Sequence, residues 1–212
     1  MTMSAEQPGT GRIEAFSDGV IAIIITIMVL ELKLPEHAAD QGLWAGLVKP
    51  LAPKLISYAL SFLVVAIMWV NHHALMDSAP RATKSLMWWN NHLLFWMSLI
   101  PLVTAFVGEN PILPIAVALY GFVLFAGAAS FTLLRLCVVA QAPTHATLRA
   151  LHRRALTKSI VGNVLYGLSV PLAFLSVYLS MAIFVLVPAM FFLPDWLPDR
   201  VVKPNDSEPA GL

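Results

Sequence analysis

The chain has 212 residues and a formal net charge of +1; it is 58% hydrophobic, only 12% charged, and has a mean hydropathy of +0.77. Soluble proteins carry about 25% charged residues, so this composition excludes a water-facing globule and makes the bilayer the fitting solvent. The near-zero charge excludes the basic surface that nucleic-acid binding needs, and the single cysteine, Cys137, excludes an intrachain disulfide or a cysteine-based metal site.

Residues 1–11 form a polar segment without the basic stretch and small-residue cleavage site of a leader, so the first apolar run is read as retained. Crossing the hydrocarbon core takes about 20 helical residues, and on that measure six spans can be placed within residues 12–196. They start with Ile13 to Leu30, Leu55 to Leu75, Trp88 to Val107 and Ile112 to Val138. Between Lys158 and Asp195 lie 36 uncharged residues. One straight helix of that length would measure about 54 Å, so two spans are expected, joined near Leu175 to Tyr178. Residues 197–212 read as a tail.

Lys and Arg divide unevenly between alternate loops. Ten fall on the side of the two termini, and three, Lys33, Lys49 and Lys54, on the other. An excess of basic residues marks cytoplasmic loops, which predicts an all-α, multi-pass protein with both termini in the cytoplasm.

The first span holds the least expected residue. Asp18 lies about 9 Å along the helix from Arg12, deep enough that a carboxylate needs a partner. At 100° per residue Ile23, Ile27, Leu30 and Leu34 fall within about 60° of one another, Thr26 about 40° beyond the edge of that stripe, and Asp18 about 140° from Ile23. The acid therefore faces neighbouring helices, whether the stripe meets a pore or lipid. The second span ends in Trp69, His72 and His73 and the third starts near Asn91, all at the depth of Asp18. A hydrogen-bonded cluster of Asp18, Trp69, Asn91 and one of the two histidines would satisfy these groups.

Adjacent histidines point about 100° apart on a helix, which suits a clamp between helices better than a metal site; no His pair stands at i, i+4, and no metal or other cofactor is expected. Trp88 and Trp89 suit an interfacial aromatic belt, Pro101, Pro171 and Pro188 suit kinks, and Arg135 suits a side chain reaching for headgroups. Asn163 and Tyr166 read as isolated polar groups satisfying helix contacts. No nucleophile and base pairing or phosphate loop is present, so no enzyme activity is expected.

The pattern Arg12-x3-Phe16-Ser17-Asp18-Gly19 followed by Ile23, with Trp69-x2-His72-His73 and an Asn-rich third span leading to Pro101, resembles the TMEM175 family of potassium channels. The resemblance implies a homotetramer in the cell (inner) membrane, its four first helices gathered around a potassium pore. It further implies constrictions at Ile23, Ile27 and Leu30, with Thr26 assisting selectivity, and Arg12, Phe16, Ser17, Asp18, Trp69, His72, His73 and Asn91 as the structural polar cluster. Two other readings stay open at this point. One is a proton-coupled transporter relaying through Asp18 and His72 or His73; the other is a helical scaffold.

Overall fold

The computed structural model describes residues 9–34, 42–141 and 146–192. The tail from 197 and most of the polar segment 1–11 lie outside the described residues. Helix α1 (Gly11–Leu30) is followed by a single turn of π-helix, Leu43–Val48, that runs straight into α2 (Lys49–Asp77). Gly42 begins that turn at φ +78°, a left-handed conformation that suits glycine. The second span thus starts well before Leu55, because Pro50 tolerates a first-turn position and the apolar turn 43–48 extends the helix.

The third span is two helices in line. Helix α3 (Lys84–Ser98) is capped by the hydroxyl of Thr83, which accepts from the amide of Leu86, and α4 (Ile100–Glu109) restarts with Pro101 in its first turn. Proline has no N–H to continue the ladder, so the expected kink becomes a break at Leu99. Helices α5 (Pro114–Val139), α6 (Ala146–Leu175) and α7 (Val177–Phe192) complete the bundle. The break between the last two falls at Ser176, inside the interval the charge-free stretch required. Pro171 and Pro188 lie within α6 and α7.

Among the described residues five helical stretches are long and apolar enough to cross a membrane, and α7 is a shorter apolar helix. This is a multi-pass membrane protein. Helix α1 packs on α2, α3 and α4, while α5, α6 and α7 pack on one another and on α2 and α3. Pairs such as Thr132 with Asn163 and Phe125 with Gly167 show α5 and α6 running antiparallel, and Ser169 with Ser180 closes the α6 to α7 hairpin.

In lipid, helices associate through close packing and interhelical hydrogen bonds rather than by expelling water, so small residues matter at the contacts. A Cβ at Gly121 would collide with Ser169 Oγ and stand 3.3 Å from Phe184, and one at Gly167 would stand 3.3 Å from Phe125. These glycines let α5 meet α6 and α7 closely. Interior hydroxyls are paired as well: Ser61 Oγ lies 2.8 Å from Tyr120 Oη and 2.7 Å from Thr104 Oγ1, which also reaches the carbonyl of Ile100 at 2.7 Å. One ordering gives each hydroxyl a single donation, from Tyr120 to Ser61 to Thr104 to Ile100.

Candidate functional site

Helix α1 has two contrasting sides. Ser17, Ile21, Ile24 and Met28, at spacings of three and four, are buried against the bundle. Ile23, Ile27 and Leu30 point the other way and are left bare by the rest of the chain, Ile23 58% and Leu30 72% exposed. Thr26 is exposed beside them, and its hydroxyl donates to the carbonyl of Ile23 at 2.9 Å. Phe16 and Arg12 continue the exposed side toward the helix start, and a Cβ at Gly19 would meet nothing.

Two grooves flank this side. One of about 360 Å³ lies between Val20, Ile23 and Ile27 of α1 and Pro101, Leu102 and Ala105 of α4. The other, of about 540 Å³, lies between Arg12 and Phe16 of α1 and Met87, Asn90 and Asn91 of α3.

The polar residues near the helix start resolve into three separate links. Trp69 Nε1 donates to Asp18 Oδ1 at 2.8 Å, joining α2 to α1. His72 Nε2 lies 2.7 Å from Asn90 Oδ1, and Asn90 Nδ2 donates to Ser17 Oγ at 2.9 Å, joining α2, α3 and α1. Ser17 in turn donates to the carbonyl of Ile13 at 2.8 Å. The amide oxygen can only accept, so His72 carries its proton on Nε2, and its buried Nδ1 has no partner among the described residues. In the third link, His73 Nδ1 lies 2.6 Å from Glu14 Oε1.

One expectation is corrected here. The buried asparagine is Asn90, whereas Asn91 is exposed on the groove beside Arg12 and Phe16. Neighbouring residues on a helix point about 100° apart, and the side facing Ser17 and His72 belongs to Asn90. Glu14 was not singled out in the sequence, although it stands one turn before Asp18.

Arg135 also departs from its expected place. It is 7% exposed, packed with its guanidinium 5.2 Å from the centre of the Phe131 ring instead of reaching outward. A further clamp had no signal in the sequence: His92 Nδ1 lies 2.9 Å from Ser130 Oγ of α5, and its Nε2 accepts from Trp96 Nε1 at 3.3 Å. Since Nε2 accepts, the proton sits on Nδ1 and is given to Ser130, which passes its own to the carbonyl of Ala126 at 2.6 Å.

Residues 12–101 match the family described as endosomal/lysosomal potassium channel TMEM175. A potassium channel of Chryseobacterium sp. is 37% identical over 196 residues, covering 92% of this chain and 98% of that protein. One from Chamaesiphon minutus is 35% identical over 202 residues, 91% of this chain and 98% of the relative. The human endosomal/lysosomal proton channel TMEM175 is 34% identical over 108 residues, which are 48% of this chain and 19% of that one. The crystal structure of a lysosomal potassium-selective channel TMEM175 homolog from Chamaesiphon minutus superposes with a TM-score of 0.77 at 33% identity, covering 86% of this chain and 95% of its own. Relatives matched along nearly their whole length, with a shared fold, establish that this chain belongs to the TMEM175 family.

Proposed function

We propose that the protein is a potassium channel of the cell (inner) membrane, a homotetramer whose four α1 helices line the pore with Ile23, Ile27 and Leu30. The observation that carries this reading is the bare aliphatic side of α1, opposite a side keyed into the bundle by Ser17, Ile21, Ile24 and Met28. A helix oriented by its inner side presents its outer side in a defined direction, and four copies around an axis would bring four Ile23 side chains together. The names of the bacterial relatives and of the solved homolog support potassium as the permeant ion.

The pore chemistry differs from a filter of backbone carbonyls. Rings of isoleucine exclude ions by dewetting while narrow and pass a partly hydrated cation when wide, which predicts modest preference for potassium over sodium. Thr26 adds the only side-chain oxygens among these four residues. The distribution of basic residues supports a cytoplasmic position for both termini.

The separation of the polar links weighs against the transporter reading. Asp18 is bonded to an indole, which can donate but not accept a proton, and His72 to an asparagine. Those two links therefore form no continuous relay from Asp18 through His72.

Potassium flux into liposomes, with the oligomer sized in the same detergent and wild type compared with Ile23→Asn, tests the proposal. Conducting tetramers, with the variant passing more ions or losing selectivity, are expected. A monomer without flux, or a variant that behaves as wild type, would overturn the placement of the pore.

A further inference from the structure

Glu14 of α1 and His73 and Asp77 of α2 form a compact group of metal-ligating side chains at the end of the bundle where α1 starts. His73 and Asp77 are separated by one helical turn and share a side of α2, and Glu14 reaches them from the neighbouring helix. His73 lies between the two acids, with Nδ1 2.6 Å from Glu14 Oε1 and Nε2 3.8 Å from Asp77 Oδ2. One ligand atom from each residue can be chosen so that all three lie within 4.8 Å of one another.

We propose that Glu14, His73 and Asp77 bind a divalent transition-metal ion, zinc by the chemistry of the donors, and that the ion ties the start of α1 to the end of α2. Three points no farther apart than 4.8 Å share a centre at most about 2.8 Å from each, 4.8 Å divided by √3. Zinc binds nitrogen and carboxylate oxygen at about 2.0–2.2 Å, which sets its tetrahedral ligand atoms roughly 3.4 Å apart, so Asp77 has to draw in and the Glu14–His73 contact has to open to admit the ion. Asp77, more than half exposed at the side chain, has room to rotate toward the other two.

Charge and donor type agree with this assignment. Two carboxylates and a neutral imidazole carry two negative charges against the ion's two positive ones, and a nitrogen with two oxygens leaves a tetrahedral zinc one position for water. A purely oxygen-lined group would favour magnesium or calcium instead. The imidazole is also held from behind: its ring stacks at 24° on the Trp69 indole, 6.2 Å between centroids, and that indole is fixed by Asp18. Orientation of a ligating histidine by its surroundings strengthens a site. The inference rests on the fold and does not depend on what passes through the pore.

The test uses the purified full-length protein, freed of metal with a chelator and titrated with zinc chloride. Bound zinc is counted after desalting, and thermal unfolding is followed in parallel. One zinc per chain and a raised unfolding temperature are expected. Asp77→Asn and His73→Ala are each expected to weaken binding at least about tenfold. Asp77 is 64% exposed and its contact to His73 is long, so Asp77→Asn keeps the metal-free protein folded and serves as the decisive variant. A Cys137→Ser control, expected to bind zinc as the wild type does, keeps the free thiol out of the count. Substoichiometric zinc, unchanged binding by Asp77→Asn and His73→Ala, or magnesium bound as tightly as zinc would each overturn the assignment.

Discussion

The indole N–H of Trp69 donates to the carboxylate of Asp18 across 2.8 Å, and this bond helps set the rotation of α1 about its own axis. Asp18 sits on the side of α1 away from Ile23, so a grip on Asp18 decides where Ile23 points. Trp69→Phe keeps the ring and removes the donor. A hydrogen bond between membrane helices is worth about 0.6 kcal/mol on average and up to about 1.7, so a loss of roughly 1 kcal/mol is expected. Asp18→Ala is expected to cost more and to lose both tetramer and current. Size-exclusion chromatography with flux on the same preparations checks both, and a stable, conducting Asp18→Ala tetramer would count against the role.

Asn90 and Asn91 differ by one position and are expected to differ sharply in consequence. Asn90→Leu leaves the buried Nε2 of His72 unpaired, at a cost of about 1–3 kcal/mol, and takes one partner from Ser17, which keeps the carbonyl of Ile13. A clear drop in thermal stability is expected. Asn91 is exposed, so Asn91→Ala is expected to stay within about 0.5 kcal/mol of wild type. Thermal unfolding of the two variants side by side distinguishes them, and equal losses would contradict the assignment of the buried position.

Thr26 spends its hydroxyl proton on the carbonyl of Ile23, which leaves the oxygen's lone pairs free to accept or to meet a cation. Thr26→Ser keeps that oxygen and is expected to keep the ratio of potassium to sodium permeability. Thr26→Val keeps the shape without the oxygen and is expected to lower the ratio. Reversal potentials under mixed potassium and sodium gradients give the answer; an unchanged ratio in Thr26→Val would remove the residue from the selectivity account.

Tyr120 donates at the head of the hydroxyl chain that runs through Ser61 and Thr104. Tyr120→Phe removes the first donor, while Ser61 keeps Thr104 as a partner. The expected cost is about 1 kcal/mol or less, with flux unchanged. Ser61→Ala breaks the chain in the middle and is expected to cost more than Tyr120→Phe. Thermal unfolding of both orders the two.

The architecture was largely legible because the bilayer imposes length and apolarity, which a sequence displays directly. The division near Ser176 followed from helix geometry alone, since 36 uncharged residues cannot form one span. The polar links were harder to read, for a physical reason. Asp18 and Trp69 could be matched by depth, but choosing Asn90 over Asn91 requires the rotation of α3, which depth does not specify. Glu14 gives no such signal, because a carboxylate in the first turn of α1 can reach water and its depth demands no partner. Arg135 looked like a residue bound for headgroups because its distance from the helix end is visible, whereas the covering by neighbouring helices is not. The break at Leu99 was anticipated as a kink from Pro101, and whether the restart would be continuous depended on packing.

Gly121 of α5 and Ser169 of α6 constrain each other's history. A methyl group at 121 meets the Ser169 hydroxyl first and only then the Phe184 ring at 3.3 Å, while that hydroxyl is itself donating to the carbonyl of Tyr166. Alanine at 121 therefore becomes accessible after Ser169 has given up its oxygen, and is penalised if it arrives before. A descendant of this chain has one open order for the two substitutions and one nearly closed one, so alanine at 121 beside an intact serine at 169 is the combination that descendants are least expected to carry.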